Sequence, residues 1–230
     1  MKLHDTNSGQ VFRSLILDSV AGIVHGFGVR GIGVAKYLDA LGIEDRYIFE
    51  TDQVHGNTVH YIMYPKKGPK LGGDAFITDR PGIVCFVRSA DCVPIIIADT
   101  NRPAVAAIHA GWRGTAEDVV GSTLCAMRQT FGTRSRDCVA AIGPRICGGC
   151  YEVGDEVVAN LKNLKVDDGW SLDDNHIDLG RINKSLLIRN GIDESNIDIS
   201  NECSKCNPVF ASYRRDKDDE ERQFSFIMLA

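Results

Sequence analysis

Apolar positions in this chain cluster in short, β-branched runs more often than they recur in helical stripes. Strands are expected at 22–27, 47–50, 75–78, 83–89, 93–98, 104–108, 139–142, 197–200 and 223–229. Most of these segments are brief runs of residues that favour a pleated, buried surface. In the final one, Phe224, Phe226 and Met228 alternate with their neighbours, which predicts a half-buried strand. Val93 to Ala98 and Ala104 to Ile108 flank the polar stretch Asp99-Thr100-Asn101-Arg102-Pro103, which reads as a hairpin loop.

Helical spacing is expected in four places. Val34 to Leu41 precedes Gly42, a C-terminal stop. Thr115 to Phe131 places Val120, Leu124, Met127 and Phe131 on one stripe and stops at Gly132. Thr115 and Asp118 resemble a capping box there, with Asp in place of the usual Glu or Gln. Tyr151 to Leu164 carries Val153, Val157, Leu161 and Leu164 on one stripe, and Leu179 to Arg189 ends before Gly191. Strands outnumber helices and include a hairpin. The expected fold is therefore α+β, a single domain over residues 1–230 with a mixed, largely antiparallel sheet and flanking helices. The charged run Lys217 to Arg222 reads as a solvated loop.

Composition narrows the function classes. A chain of 230 residues can bury a substantial core. Its formal net charge of −5 gives no support to non-specific nucleic-acid or membrane-surface binding. No apolar run is long enough to span a bilayer, and the polar first ten residues lack a signal-peptide core, so a cytoplasmic location is expected. In that compartment the eight cysteines read as thiols or metal ligands rather than a disulfide frame. Cys85, inside an apolar run, and Cys125, on a helical pattern, read as core residues.

The chemistry is expected where the hairpin opens. Cys92 precedes its first strand and His109 follows its second, so tight pairing brings thiol and imidazole together. A one-residue slip would put them on opposite faces. With His55, from Gln53-Val54-His55-Gly56, they make a His₂Cys set suited to Zn²⁺ with a fourth position open to water or substrate. The plain alternative is three unrelated residues: a turn histidine, a buried thiol and a satisfied core histidine. Gly111-Trp112-Arg113-Gly114-Thr115 leads into a helix, where backbone N–H groups and Arg113 suit an anion, unless it is only a tight turn. Arg214 and Arg215 point opposite ways if their segment is extended, so at most one would reach a pocket. Arg30, on a Gly-rich loop, is another candidate anion binder. Cys147-Gly148-Gly149-Cys150 and Cys203-Ser204-Lys205-Cys206 are two C-x-x-C units, readable as a tetrahedral site or, preferably, as thiols lining the main pocket.

Several motifs are carried together: Gln53-Val54-His55-Gly56, Gly73-Asp74-Ala75, Ser89-Ala90-Asp91-Cys92-Val93-Pro94, Ile108-His109-Ala110-Gly111-Trp112-Arg113-Gly114, Ile142-Gly143-Pro144, Cys150-Tyr151-Glu152-Val153-Gly154 and Ser212-Tyr213-Arg214-Arg215-Asp216. With them the chain resembles the laccase-domain family, long labelled polyphenol oxidases and since described as purine nucleoside phosphorylases. The resemblance implies an α+β fold shared with certain toxin deamidases, and a zinc ion held by His55, Cys92 and His109. It also implies phosphorolysis of adenosine, inosine or methylthioadenosine, with adenosine deamination as a second reaction. Arg30 matches the arginine of an early family motif. Glu221-Arg222 stands where that pattern has Gly-Arg, and Cys147 and Cys206 are additions to it.

The leading expectation is thus zinc-dependent chemistry on a purine nucleoside, with phosphate as co-substrate. Metal-activated water would displace ammonia from purine C6 while Asp91 or Glu152 moves the proton. Gln53, Arg30, Arg113, Arg214 and Arg215 are the candidate substrate residues. A copper polyphenol oxidase is the second reading, because His₂Cys also resembles a blue-copper set and copper can occupy such donors in vitro. A trinuclear copper cluster would need more histidines than the six present. A third reading is a metal-free hydrolase with Cys92 as nucleophile and His109 as base.

Overall fold

Pleated runs that are apolar at every position need cover on both faces, and here two sheets cover one face of each other while helices cover the outer faces. The computed structural model describes residues 1–6, 9–44, 46–49, 51–64, 70–166, 168–173, 175–218 and 220–230. Among them, the first sheet comprises β1 (Lys2–Thr6), β2 (Gly9–Arg13), β3 (Ile23–Gly28), β4 (Tyr47–Ile48), β9 (Ile83–Ser89) and β14 (Gln223–Leu229), in the order β1-β2-β3-β14-β9-β4. The second comprises β6 (Val59–Tyr61), β8 (Ala75–Thr78), β10 (Val93–Asp99), β11 (Val105–Ala110), β12 (Cys138–Ile142) and β13 (Ile197–Ile199), in the order β13-β12-β10-β11-β8-β6. β5 (Thr51–Asp52) and β7 (Leu71–Gly72) form a short parallel ribbon. The helices are α1 (Leu15–Asp18), α2 (Val34–Ala40), α3 (Trp112–Ala116), α4 (Val119–Phe131), α5 (Asp155–Lys162), α6 (Leu179–Arg189) and α7 (Tyr213–Asp216).

The expected mixed, largely antiparallel architecture is present. Among the described residues, the parallel strand pairs are β4–β9, β5–β7, β6–β8 and β12–β13, with isolated parallel bridges at Pro81–Leu229 and Arg145–Cys203. Strand alternation sorts the core into layers. Ile96 and Ala98 of β10 meet Phe27, Val87 and Ile227 of the first sheet, while Ile95 and Ile97 pack under α4 and α6 through Val120, Leu124, Ile182 and Leu186. On the outer face of the first sheet, α2 lays Val34, Tyr37 and Leu38 over Phe86, Phe224 and Phe226. The order of layers is helix, sheet, sheet, helices. β14 is therefore buried on both faces rather than half-buried, because Ile227 and Leu229 fill the space between the sheets while Phe224, Phe226 and Met228 meet α2.

Other expectations shift for local reasons. The pattern from Thr115 to Phe131 is two helices, α3 and α4, broken at Asp118, which takes a left-handed conformation (φ 54°). Asp118 caps α4 itself by accepting from the Gly121 N–H at 2.9 Å. Thr115 takes no part in a capping box, since its buried hydroxyl accepts from Asn183 at 3.0 Å. α5 begins at Asp155 instead of Tyr151, because Glu152 bridges to His176 and the Val153 N–H donates to the Asn175 carbonyl at 2.9 Å. β1, β2 and β6 were not expected, being polar or very short. The strand expected over 47–50 forms at Tyr47–Ile48, and Glu50 lies outside the described residues. No described helix is long and apolar enough to cross a membrane.

Candidate metal centre

β10 and β11 pair antiparallel with Pro94 opposite His109. Alternation then sets Cys92, two residues before Pro94, on the same face as His109. The turn that enters β10 is tight, since Asp91 has φ 88°, in the left-handed region. Its carboxylate is tied down on both oxygens, accepting from the Ser204 hydroxyl at 2.6 Å and from the Arg214 N–H at 2.7 Å.

His55 arrives from a distant loop, and Asp74 brings it there. The pairing of β8 with β11 sets Asp74 beside His109. The His109 N–H donates to the Asp74 carbonyl at 2.7 Å, and His109 Nδ1 lies 2.8 Å from Asp74 Oδ1. The same carboxylate accepts three successive backbone N–H groups, from Val54, His55 and Gly56, at 3.2, 3.0 and 2.8 Å. These bonds hold His55 in a left-handed conformation (φ 60°) uncommon for a histidine. The His55 and His109 rings stand perpendicular with centroids 4.8 Å apart. Donor atoms of His55, Cys92 and His109 all lie within 4.8 Å of one another. Gly111 completes the cradle, because a Cβ there would come 3.0 Å from the His55 ring and 3.3 Å from Cys92 Sγ. Gly114 does the same for the loop, whose Gly56 carbonyl would stand 2.7 Å from an added Cβ.

Charge within the cluster favours a cation. Burial opposes ionisation of the fully buried Asp74, but His109 and the backbone N–H groups hold its carboxyl below the usual range. Burial likewise opposes the Cys92 thiolate, and the neighbouring imidazoles outweigh it, bringing the thiol down to about 6. For His109, burial disfavours the charged ring, while the Cys92 and Asp74 anions drive it up to about 9. With Nδ1–H turned to Asp74, His109 presents Nε2 to a metal, the usual carboxylate–histidine–metal arrangement. A thiolate and two imidazoles with a fourth side open fit a zinc-type ion.

That open side faces a cleft of about 860 Å³, lined by His55, Cys92, His109, Gln53, Arg88, Tyr213, Glu220 and Arg222 among others. Of the expected substrate residues, Gln53 reaches it. Its amide is spent on β9, donating to the Arg88 carbonyl at 2.7 Å and accepting from the Arg88 N–H at 2.8 Å. The others sit outside the lining. Arg30 pairs with both carboxylate oxygens of Glu221. Arg113 stacks on Trp112 at 4.3 Å. The Arg214–Arg215 segment is helical rather than extended: Arg214 donates to the Glu152 carbonyl at 2.9 Å, and Arg215 donates to Asp216 and to the Ser204 and Phe210 carbonyls. The Glu152 group that meets Arg214 is its main-chain carbonyl. The 217–222 run is not a free loop, since Glu221 holds Arg30 and Arg222 lines the cleft; Asp219 lies outside the described residues. The four paired cysteines do not line the cleft either. Sequence reasoning missed Asp74, Arg88 and Arg222. Arg88 carried a signal, being the one charged residue in the apolar run 83–89 and the one exposed position of β9.

Residues 34–230 match the profile of a family described as multi-copper polyphenol oxidoreductase laccase. The chain belongs to this family. It is 30% identical to a purine nucleoside phosphorylase of Clostridium acetobutylicum, over 92% of this chain and 82% of that protein. It is 39% identical to adenosine deaminase RL5 of an unknown prokaryotic organism, over 68% of this chain and 62% of that protein. Among solved structures, YlmD of Geobacillus stearothermophilus superposes with a TM-score of 0.81 at 26% identity, covering 91% and 92% of the two chains. A YfiH protein of Bacillus licheniformis gives the same TM-score at 27% identity, covering 90% and 93%. Against the family's multi-copper description, His25, His60 and His176 are engaged elsewhere, with the Ser14 N–H, the Gly72 carbonyl and Asp173. Among the described residues, the histidines placed to share a metal are His55 and His109, and both belong to one centre.

Proposed function

We propose that this protein is a zinc-dependent purine nucleoside phosphorylase acting on adenosine, inosine or methylthioadenosine, with adenosine deamination as a second activity. The observation that carries the reading is the His55–Cys92–His109 centre, backed by Asp74, at the wall of a cleft of about 860 Å³. That volume falls in the ordinary range of small-molecule sites. Relatives named purine nucleoside phosphorylase and adenosine deaminase support the substrate class. A zinc ion held by the three donors supplies a Lewis acid at that wall. Arg88 and Arg222 line the same cleft and are the guanidinium groups that receive phosphate in this reading. Gln53 fixes the loop that carries His55, and Asp91 fixes the turn before Cys92, so both act as positioning residues. Arg30, Arg113, Arg214 and Arg215 brace the surrounding loops.

Incubation of zinc-loaded protein with adenosine and phosphate tests this. Ribose 1-phosphate with adenine, and inosine from deamination, are the expected products, and both disappear in Cys92→Ala. A fully loaded wild type that forms none of them refutes the reading. One observation favours a second reading, a metal-free hydrolase: the Cys92 thiol, brought down to about 6 beside His109, resembles an activated nucleophile. Rapid alkylation of Cys92 in protein as purified supports that alternative, whereas a bound metal slows it. Metal analysis of protein grown without added copper separates zinc from copper.

A further inference from the structure

The second thiol cluster sits apart from the cleft. Cys147, Cys150, Cys203 and Cys206 come from two C-x-x-C units whose corresponding cysteines are 56 residues apart in the chain, yet their sulfur atoms all lie within 4.8 Å of one another. Cys150 Sγ and Cys206 Sγ are 3.4 Å apart, close to the roughly 3.7 Å edge of a tetrahedron of sulfurs around zinc. We propose that these four cysteines hold one structural zinc ion in a closed tetrathiolate site.

The backbone builds the site before any ion enters. Arg145 and Cys203 form a parallel bridge, with the Arg145 N–H donating to the Glu202 carbonyl at 3.4 Å and the Ser204 N–H donating to the Arg145 carbonyl at 2.9 Å. This bridge aligns the two units. The Cys147 N–H then donates to Cys203 Sγ at 3.3 Å. Such N–H···S bonds stabilise a thiolate rather than a thiol. The 3₁₀ turn Gly148–Cys150, closed by the Cys150 N–H on the Cys147 carbonyl at 3.0 Å, curls the first unit so that both sulfurs face inward. Four thiolates and one Zn²⁺ leave a charge of about −2. Arg145, only 7% exposed, is shared electrostatically between Asp178 and the thiols of Cys147 and Cys203, so its guanidinium brings some positive charge to the cluster. Nothing in hydrogen bonding alone accounts for four thiols in contact, since S–H is a weak donor and S a weak acceptor.

The clasp has a structural consequence. Ser204, inside the second unit, is the residue whose hydroxyl holds Asp91, and the Ile146 N–H donates to the Asp91 carbonyl at 3.0 Å. The ion would therefore lock the loops that position the turn before Cys92. The site stands independently of the proposed reaction.

Elemental analysis of protein purified under reducing conditions without chelator tests it. Two zinc per chain are expected in the wild type, one in Cys92→Ala and one in Cys150→Ser/Cys206→Ser. Zinc-edge X-ray absorption on Cys92→Ala, which leaves the four loop cysteines intact, should show sulfur-only coordination at about 2.3 Å. Cys206→His, which supplies another zinc ligand, should keep the second equivalent that Cys206→Ala loses. Metal-free Cys92→Ala protein overturns the proposal. So does nitrogen in the zinc shell of that variant, or a Cys150–Cys206 disulfide revealed by two missing thiols under non-reducing titration.

Discussion

The two donor clusters of this protein differ in every respect that decides what a bound ion can do. His55, Cys92 and His109 offer three donors at the wall of a wide cleft, each fixed by a neighbour: Asp74 behind His109 and the His55 loop, the β10–β11 register behind Cys92. Cys147, Cys150, Cys203 and Cys206 offer four sulfurs on two loops tied by the Arg145–Cys203 bridge and an N–H···S bond, away from that cleft. Three donors leave a position for substrate, whereas four close the shell. The difference teaches that ligand count and cleft access, more than ligand identity, separate a reactive centre from a clasp.

Removing the buried anion should disturb the first cluster most. Asp74→Ala strands three backbone N–H groups and the His109 ring, so denaturation should show a loss of about 3–5 kcal/mol, and the centre should bind no metal. Asp74→Asn keeps the shape but not the charge. Competition against a chelator should show its metal affinity reduced roughly 10- to 100-fold. Gly111→Ala presses a methyl group on His55 and Cys92 while its backbone (φ −72°) tolerates alanine. About tenfold weaker metal binding, or ~1.4 kcal/mol, with little change in unfolding midpoint is expected, and an unchanged affinity would show that the donors need no cradle. Arg88→Ala and Arg222→Ala should raise KM for phosphate with metal content intact, each by about tenfold for one lost charged contact of ~1.5 kcal/mol. Arg113→Ala should act least, since its guanidinium lies on Trp112 outside the cleft. Kinetics should move by no more than about threefold, the loss expected for an exposed cation–π contact of ~0.5 kcal/mol.

Much of the scaffold was legible because burial writes itself into apolar runs. β8, β9 and β14 match the runs 75–78, 83–89 and 223–229, and α6 matches Leu179–Arg189. The pairing of Cys92 with His109 was readable from the hairpin around Asp99–Pro103, though not its register. What sequence reasoning lost were features without periodicity. Asp74 stood inside a quoted motif but gave no local sign that its carboxylate would gather three N–H groups and an imidazole. The arginines carried no local sign of their partners, since a charged side chain near a Gly-rich motif looks alike whether it meets a phosphate or, as Arg30 does, a glutamate. The conformation of the Arg214–Arg215 segment was left open by the sequence, and Ser212 settles it by capping a short helix, accepting from the Arg215 N–H at 3.2 Å.

By itself the sequence determined the long apolar strands, the helix over Leu179–Arg189 and the hairpin that brings Cys92 beside His109, because those depend on side-chain polarity repeating over a few positions. Tertiary structure alone decided that His55 joins the pair, that four distant sulfurs meet, and which arginines face the cleft. Those outcomes depend on strand order and on buried hydrogen bonds between segments far apart in the chain, and short-range polarity carries no record of either.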